Sequence, residues 1–309
     1  VWLWGRVMLA CLVLWMGACS HLQGKPKVAE DVGPKNSPEQ GMEILSDNAK
    51  VKRDTWKEKT FEEFKAQVYQ EPFEGGKFIV NGDTPIVDEK HLQEFFAVRI
   101  KEESRPASGG RMKLTVHQVD GQDAVWNSTD KRQLTYCVST SFGSRYDQMV
   151  ADMQAATKAW EAVANVNFIH VGGQDASCTA SNTHVVFDVR PVNVNGQYLA
   201  RAFFPNEPRA SRNVLVDNSS FGLDPSGQLS LQGILRHELG HAIGFRHEHT
   251  RPDSGTCFED NNWRPLTSYD ALSVMHYPQC NGQGDWSLTL TTIDQHGAAC
   301  LYGPAQGFT

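Results

Sequence analysis

Along residues 144–164, SRYDQMVADMQAATKAWEAVA, the apolar Met149, Met153, Ala156 and Trp160 recur every three or four positions, which predicts a long helix with one buried face. A second helical pattern begins at Leu231: Leu231, Ile234, Leu235, Leu239, Ala242 and Ile243 cover so much of its surface that the helix should lie mostly inside a domain. Gly244 then permits the left-handed turn that stops a helix and redirects the chain. Between the two, LTYCVS, VNFIHV, THVVFDVR, YLARAFFP and RNVLVDNS read as strands. Upstream, residues 51–70 place Trp56, Phe61, Phe64 and Val68 near helical spacing, and FIVNGDTPIV, 78–87, sets two apolar runs around an Asn-Gly-Asp turn. HLQEFFAVRI fits a helix or a strand, and MKLTVHQV, 112–119, alternates like a strand. A strand, a helix and then strands leading into a buried helix form an α/β order.

Composition adds boundaries. The chain has 309 residues, a formal charge of -7 and 40% hydrophobic residues, enough for one good-sized core with additional segments. The mildly acidic balance argues against a nucleic-acid partner. Residues 1–19, VWLWGRVMLACLVLWMGAC, carry one arginine and then an apolar run ending in small residues, an export signal too short to favour a transmembrane anchor. Met16-Gly17-Ala18-Cys19 resembles a bacterial lipobox, so cleavage would leave Cys19 as a lipidated terminus and attach the protein to the cell envelope; a plain secretory signal is the alternative. Residues 20–50, rich in Lys, Glu, Pro, Gly and Ser, read as a disordered tether. Residues 20–131 hold thirteen lysines, whereas 132–309 hold only Lys158. That shift marks 51–131 as a propeptide or accessory region and 132–309 as the catalytic domain.

The chemistry sits on the second helix. His237 and His241 are four residues apart and leave one helical face a turn apart. His247, beyond Gly244, can approach the same point from outside the helix, completing HExxHxxGxxH. Three neutral imidazoles supply three corners of a zinc tetrahedron and leave the fourth open to water, as in a catalytic site holding one Zn2+ ion. Glu238, adjacent to a ligand without being one, is placed to act as general base.

On these residues the chain resembles the metzincin clan of zinc endopeptidases, over about 132–309. HELGHAIGFRHEHTRPD, 237–253, is most similar to the astacin family, which carries Glu after the third ligand, here Glu248. SVMHYP, 273–278, is similar to the astacin Met-turn, which implies Met275 as a thioether floor under the zinc and Tyr277 as a switchable ligand that donates to the oxyanion. LARAFFP, 199–205, and LTLTTIDQHGAACLYG, 288–303, resemble matrixins, where the first pairs with substrate backbone as an edge strand and the second is the closing helix. Matrixins place a histidine ligand of a second, structural zinc where this chain has Arg201, which puts that second ion in question. The resemblance implies a zincin fold of α/β (α+β) class: a mixed twisted sheet, a long helix, an active-site helix and a small irregular C-terminal subdomain ending in a helix. It also implies latency. Astacins plug the zinc with an Asp in Phe-x-Gly-Asp; here FIVNGD, with two more residues between Phe and Gly, offers Asp83 as the zymogen switch. In the same family Glu248 would anchor the mature N-terminus.

Cys257 and Cys280 bracket the loop between His247 and the Met-turn and form the expected disulfide; Cys137 with Cys178 is the second pair, leaving Cys300 free. His249, His276 and His296 fit no further ligand set. The functional expectation is an exported zinc metalloendopeptidase acting on proteins or peptides. Its alternatives are a surface-anchored binding module with a structural zinc, and a zinc hydrolase of a non-peptide substrate.

Overall fold

The computed structural model describes residues 56, 58–73, 75–80, 82–101, 114–223, 228–255, 257, 259 and 262–309. The export signal, Cys19, the tether and Asn81 of the expected turn lie outside the described residues. Among the described residues no helix is long and apolar enough to cross a membrane.

Residues 56–101 build a small body of their own. Helix α1 (Phe61–Lys65) starts at a capping box in which Thr60 and Glu63 satisfy each other's backbone N–H groups, which holds five residues in a helix too short to persist by propensity. Strands β1 (Tyr69–Gln70), β2 (Phe78–Val80) and β3 (Thr84–Ile86) follow as an antiparallel sheet in chain order. HLQEFFAVRI resolves as helix: α2 (Glu89–Phe95), capped by Asp88, runs into a wider π turn through Lys101. Trp56, Phe64, Phe78, Val80, Leu92 and Phe96 close a core beneath them, so the apolar spacing read in 51–70 serves a tertiary cluster more than a long helix.

The larger body begins at Leu114. Strands β4 (Thr115–Val119) and β5 (Gln122–Asp123) form a hairpin whose first strand also pairs with a later one. Strand β6 (Leu134–Val138) leads to helix α3 (Tyr146–Glu161), whose Met149, Met153, Ala156 and Trp160 are all buried as the spacing predicts. Strands β7 (Phe168–His170), β8 (Phe187–Val192), β9 (Ala200–Arg201) and β10 (Asn213–Asp217) complete a five-stranded sheet in the order β7-β6-β8-β10-β9. The first four run parallel, and β9 lies antiparallel at the edge. Helix α4 (Leu231–Ala242), capped by Ser230, packs with α3 on one face of that sheet; the Trp160 indole donates to the carbonyl of Arg236 at 2.9 Å. Strand β11 (Trp263–Pro265) pairs with β4, and helix α5 (Thr292–Tyr302) closes the chain. This is the mixed α/β sheet with two core helices that the sequence implies.

Leu114, Val116 and Trp126 belong to the same core as Met275 and Leu239. The main-chain N–H of His117 donates to Gly244 at 2.8 Å, and that of Arg246 to Thr115 at 2.8 Å. Residues 114–131 therefore pack as part of the larger body, although the lysine count groups them with the smaller one. Lysine counts report exposed surface and carry no information about which core a strand enters.

Cys137 bonds Cys178, and Cys257 bonds Cys280 across a separation of 23 residues, a closure that stabilises by about 3 kcal/mol in the loop-entropy picture. Cys300 is also disulfide-bonded, which corrects the expectation that it is free.

Candidate metal centre

The turn after α4 sets the geometry. Gly244 has φ +93, and the main-chain N–H groups of Gly244 and Phe245 donate back to His241 and Gly240 at 2.8 and 2.9 Å. A Cβ on Gly244 would stand 2.6 Å from the carbonyl oxygen of Ala124, in a backbone region L-residues rarely adopt. We expect Gly244→Ala to lower stability by at least about 1–2 kcal/mol, read as a shift in the denaturation midpoint; an unchanged midpoint would refute this account of the turn.

Beyond that turn His247 comes back to the helix. Its Nε2 lies 3.1 Å from Nε2 of His237 and 3.2 Å from Nε2 of His241. Each ring's other nitrogen faces an acceptor: His237 Nδ1 donates to the Val274 carbonyl at 2.7 Å, His241 Nδ1 to the Phe245 carbonyl at 2.8 Å, and His247 Nδ1 to the Glu259 carboxylate. An acceptor at Nδ1 fixes the proton there and leaves Nε2 with a bare lone pair. Three lone pairs thus meet at one point. A tetrahedral ion with zinc–nitrogen bonds of about 2.0–2.1 Å needs ligand nitrogens about 3.3 Å apart, so the set fits zinc. All three rings are buried. Burial lowers His241 to about 4 and keeps it neutral. Burial would lower His247 too, but Asp83 and Glu259 outweigh it and push it up to about 10, so positive charge, proton or cation, is favoured where its Nε2 points.

Asp83 completes the set from the other body. The β2–β3 hairpin carries it to the histidines: Oδ2 is 3.3 Å from Nε2 of both His237 and His247 and 3.8 Å from that of His241. Tyr277 donates to the same oxygen at 2.5 Å. Gly82, at φ +100, allows the approach; a Cβ there would lie 3.2 Å from the Tyr277 ring. Burial would raise the Asp83 carboxyl, but the positive charge favoured at His247 and the close approach of the three ring nitrogens hold it well below the usual carboxylate range. The same group is one of two clusters among the described residues that could hold a metal; the other is His247, His249 and Glu259.

Glu238 sits beside this point, buried, with Oε2 unpartnered. Burial first, and then Asp83, push its carboxyl well above the ordinary value, while the N–H of Ala202 after β9 pulls the other way. Met275 is fully buried under the helix, so close that a Cβ on Gly240 would stand 2.4 Å from its sulfur. Glu248 is buried as well. Its partners are Arg251 at 2.9 Å, the Thr115 hydroxyl at 2.8 Å and the Asp270 N–H at 3.2 Å. Arg201 pairs with Glu71 through Nε at 2.7 Å.

Two residues that sequence reasoning passed over hold the site. Glu259 receives His247 and, at 2.7 Å, Arg246; its only sequence signal is an acidic side chain within the loop that the Cys257–Cys280 bridge closes. Asp294 accepts from the Ser273 hydroxyl at 2.6 Å and the Val274 N–H at 2.8 Å while capping α5, so it fixes the Met-turn whose Val274 carbonyl orients His237. A Thr-x-x-Asp capping signature at Thr291 was visible, but not that its carboxylate faces the Met-turn.

Fold and centre together define a mixed α/β domain with a three-histidine site fit for one zinc ion. Residues 125–254 match the family model of the matrixin peptidases. The chain is 36% identical over 81 residues to Protein SpAN of Strongylocentrotus purpuratus, covering 20% of this chain and 13% of that protein. It is 30% identical over 129 residues to Matrix metalloproteinase-17 of Homo sapiens, covering 40% and 21%. High choriolytic enzyme 1, a hatching enzyme zinc-protease from Oryzias latipes, aligns in structure with TM-score 0.38 and 19% identity over 58% of this chain and 94% of that one. The chain spans much less than two thirds of the length of either curated relative. Over part of its length the chain is thus similar to metzincins of both the matrixin and the astacin kind, the resemblance read from the sequence.

Proposed function

We propose that the chain is an exported zinc endopeptidase that hydrolyses internal peptide bonds of proteins and is held latent, while uncut, by residues 56–101. The observation that carries this is the meeting of three Nε2 lone pairs beside Glu238, whose Oε2 has no partner in the protein. His237, His241 and His247 would hold a zinc ion, which would supply Lewis-acid activation of water and of a peptide carbonyl. The rest is done by the chain. Glu238 takes the proton of the attacking water and returns it to the leaving amine. The Tyr277 hydroxyl, given to Asp83 in the uncut chain, turns to the developing oxyanion once Asp83 leaves. Met275 and the Asp294-braced turn keep His237 in place. Peptide adds as a strand along the outer edge of β9, beside a crevice whose walls are Ala202 and Phe204 on one side and Thr84 and Pro85 of the leading body on the other.

Packing favours a division within 102–113 over one at Arg132, because a cut at 132 would strip Leu114, Val116 and Trp126 from the core. Protein cut within 102–113 and freed of the leading body is expected to degrade denatured casein, to stop with a chelator and to resume with zinc. A binding module would hold zinc and leave casein intact, and a hydrolase of another substrate class would do the same, so an intact substrate rejects the endopeptidase reading.

Export and anchoring rest on residues 1–19. Acylated Cys19 would carry the mature protein into the detergent phase, and Cys19→Ser should release it to the soluble fraction. Recovery of wild type in the soluble fraction with an unmodified terminus would reject the anchor.

A further inference from the structure

Arg201 is buried, and its carboxylate partner comes from the body proposed to leave. Glu71, at the end of β1, takes its guanidinium in a bidentate grip: Nε donates to Oε1 at 2.7 Å and NH2 to Oε2 at 2.9 Å. Asn213 accepts from NH1 at 2.7 Å, the Tyr198 hydroxyl donates to Glu71 Oε1 at 2.5 Å, and the N–H of Lys77 donates to Oε2 at 2.9 Å. Arg201, Tyr198 and Asn213 belong to the larger body and form a receptor for one carboxylate; Glu71 is the carboxylate in it. Planar bidentate pairing of this kind is the geometry arginine offers and lysine does not.

The receptor's place on the sheet says what would fill it afterwards. Arg201 pairs with Leu215, and Ala200 with Val216. Ala200, Ala202, Val214 and Val216 face the main core, whereas Leu215 packs outward with Tyr198 and Ile79. Arg201 therefore stands on the outer face of an edge strand, one residue before the Ala202 N–H that reaches Glu238. A peptide strand added along that edge places the residue directly opposite Arg201 on the same outer face, with Cβ atoms about 4.5–5.5 Å apart. We propose that Arg201 is a specificity-determining residue that binds an acidic side chain of the substrate strand, and that Glu71 stands in for it in the uncut chain. This rests on the endopeptidase reading above and names a substrate class for that same site.

The larger body holds one internal competitor for Arg201. Glu207 now holds the Lys77 ammonium at 2.7 Å, and when Lys77 departs its carboxylate is released near Arg201. It would compete with substrate and lessen the preference.

The test uses zinc-loaded protein cut within 102–113 and freed of residues 56–101, with casein as the control substrate and a peptide series that places Glu or its isostere Gln at successive positions around one cleavage site. At one position Glu is expected to exceed Gln in kcat/KM by on the order of tenfold to a hundredfold, the range of a hydrogen-bonded charge pair. Arg201→Gln should bring that ratio near one, Arg201→Lys should leave an intermediate ratio, and Glu207→Gln should widen it. If casein is cut while no position favours Glu in the wild type, the proposal is overturned whatever the variants do; a ratio that survives Arg201→Gln, or that narrows in Glu207→Gln, overturns it too. Should casein remain intact, the endopeptidase reading has failed and the proposal falls with it.

Discussion

Glu238→Gln, in protein cut within 102–113, is expected to bind zinc as the parent does and to lose on the order of 10²-fold or more in casein hydrolysis. The separation of the two readouts follows from the geometry. Zinc is held by three Nε2 atoms whose orientation is set elsewhere: His237 by the Val274 carbonyl, His241 by the Phe245 carbonyl and His247 by Glu259. Glu238 contributes to none of these contacts. Its Oε2 has no partner within the protein, and a buried carboxylate kept in that condition costs stability unless something at the site uses it. Gln is nearly isosteric and cannot accept a proton. His237→Ala, His241→Ala or His247→Ala should do the reverse and lower zinc content sharply, since each deletes one of three protein ligands. Retained zinc with undiminished hydrolysis in Glu238→Gln would remove Glu238 from the chemistry, and with it the hydrolytic role proposed for the centre.

How far the sequence foretells this arrangement depends on whether the information is local. The spacing of His237, His241 and His247 around Gly244 is local, and the centre assembles as that spacing requires. The faces of α3 and α4 are local too, and their predicted apolar positions are buried. Glu259 and Asp294 were not legible, because an acidic residue twelve positions after a histidine, or at the start of a terminal helix, has many other uses; only the disulfide-closed loop and the docking of α5 bring them to His247 and to the Met-turn. The packing of 114–131 depends on distant residues in the same way. The strand pattern of 112–119 was recognised, yet that β4 pairs with β11 and receives Phe245 as a bridge partner is settled by residues more than a hundred positions away. HLQEFFAVRI is a third case: Asp88 caps a helix there, but six apolar side chains among ten, five of them in the last six positions, give little periodicity to read.

Uncut Asp83→Ala is expected to cleave peptide that the uncut parent leaves intact. In the parent, Asp83 brings a carboxylate to within 3.3 Å of two of the three histidine nitrogens and takes the Tyr277 hydroxyl at 2.5 Å. It thus stands at the fourth corner of the set, where the water and the oxyanion would have to be. Alanine removes the fourth donor and returns Tyr277, while the hairpin keeps its turn because Gly82, at φ +100, is untouched. Release need not be complete. Glu71 still grips Arg201, Lys77 still holds Glu207, and Ile79 still packs on Tyr198 and Leu215, so the edge of β9 stays covered until the leading body moves. A small peptide should therefore benefit more than casein, and adding Glu71→Gln to Asp83→Ala should widen access further by loosening the buried ion pair. The opposing forecast is plain. If Asp83 were only a polar residue in a solvated turn, the uncut variant would be as silent as its uncut parent while the freed protein was active, and latency would then lie in the covering of β9 alone.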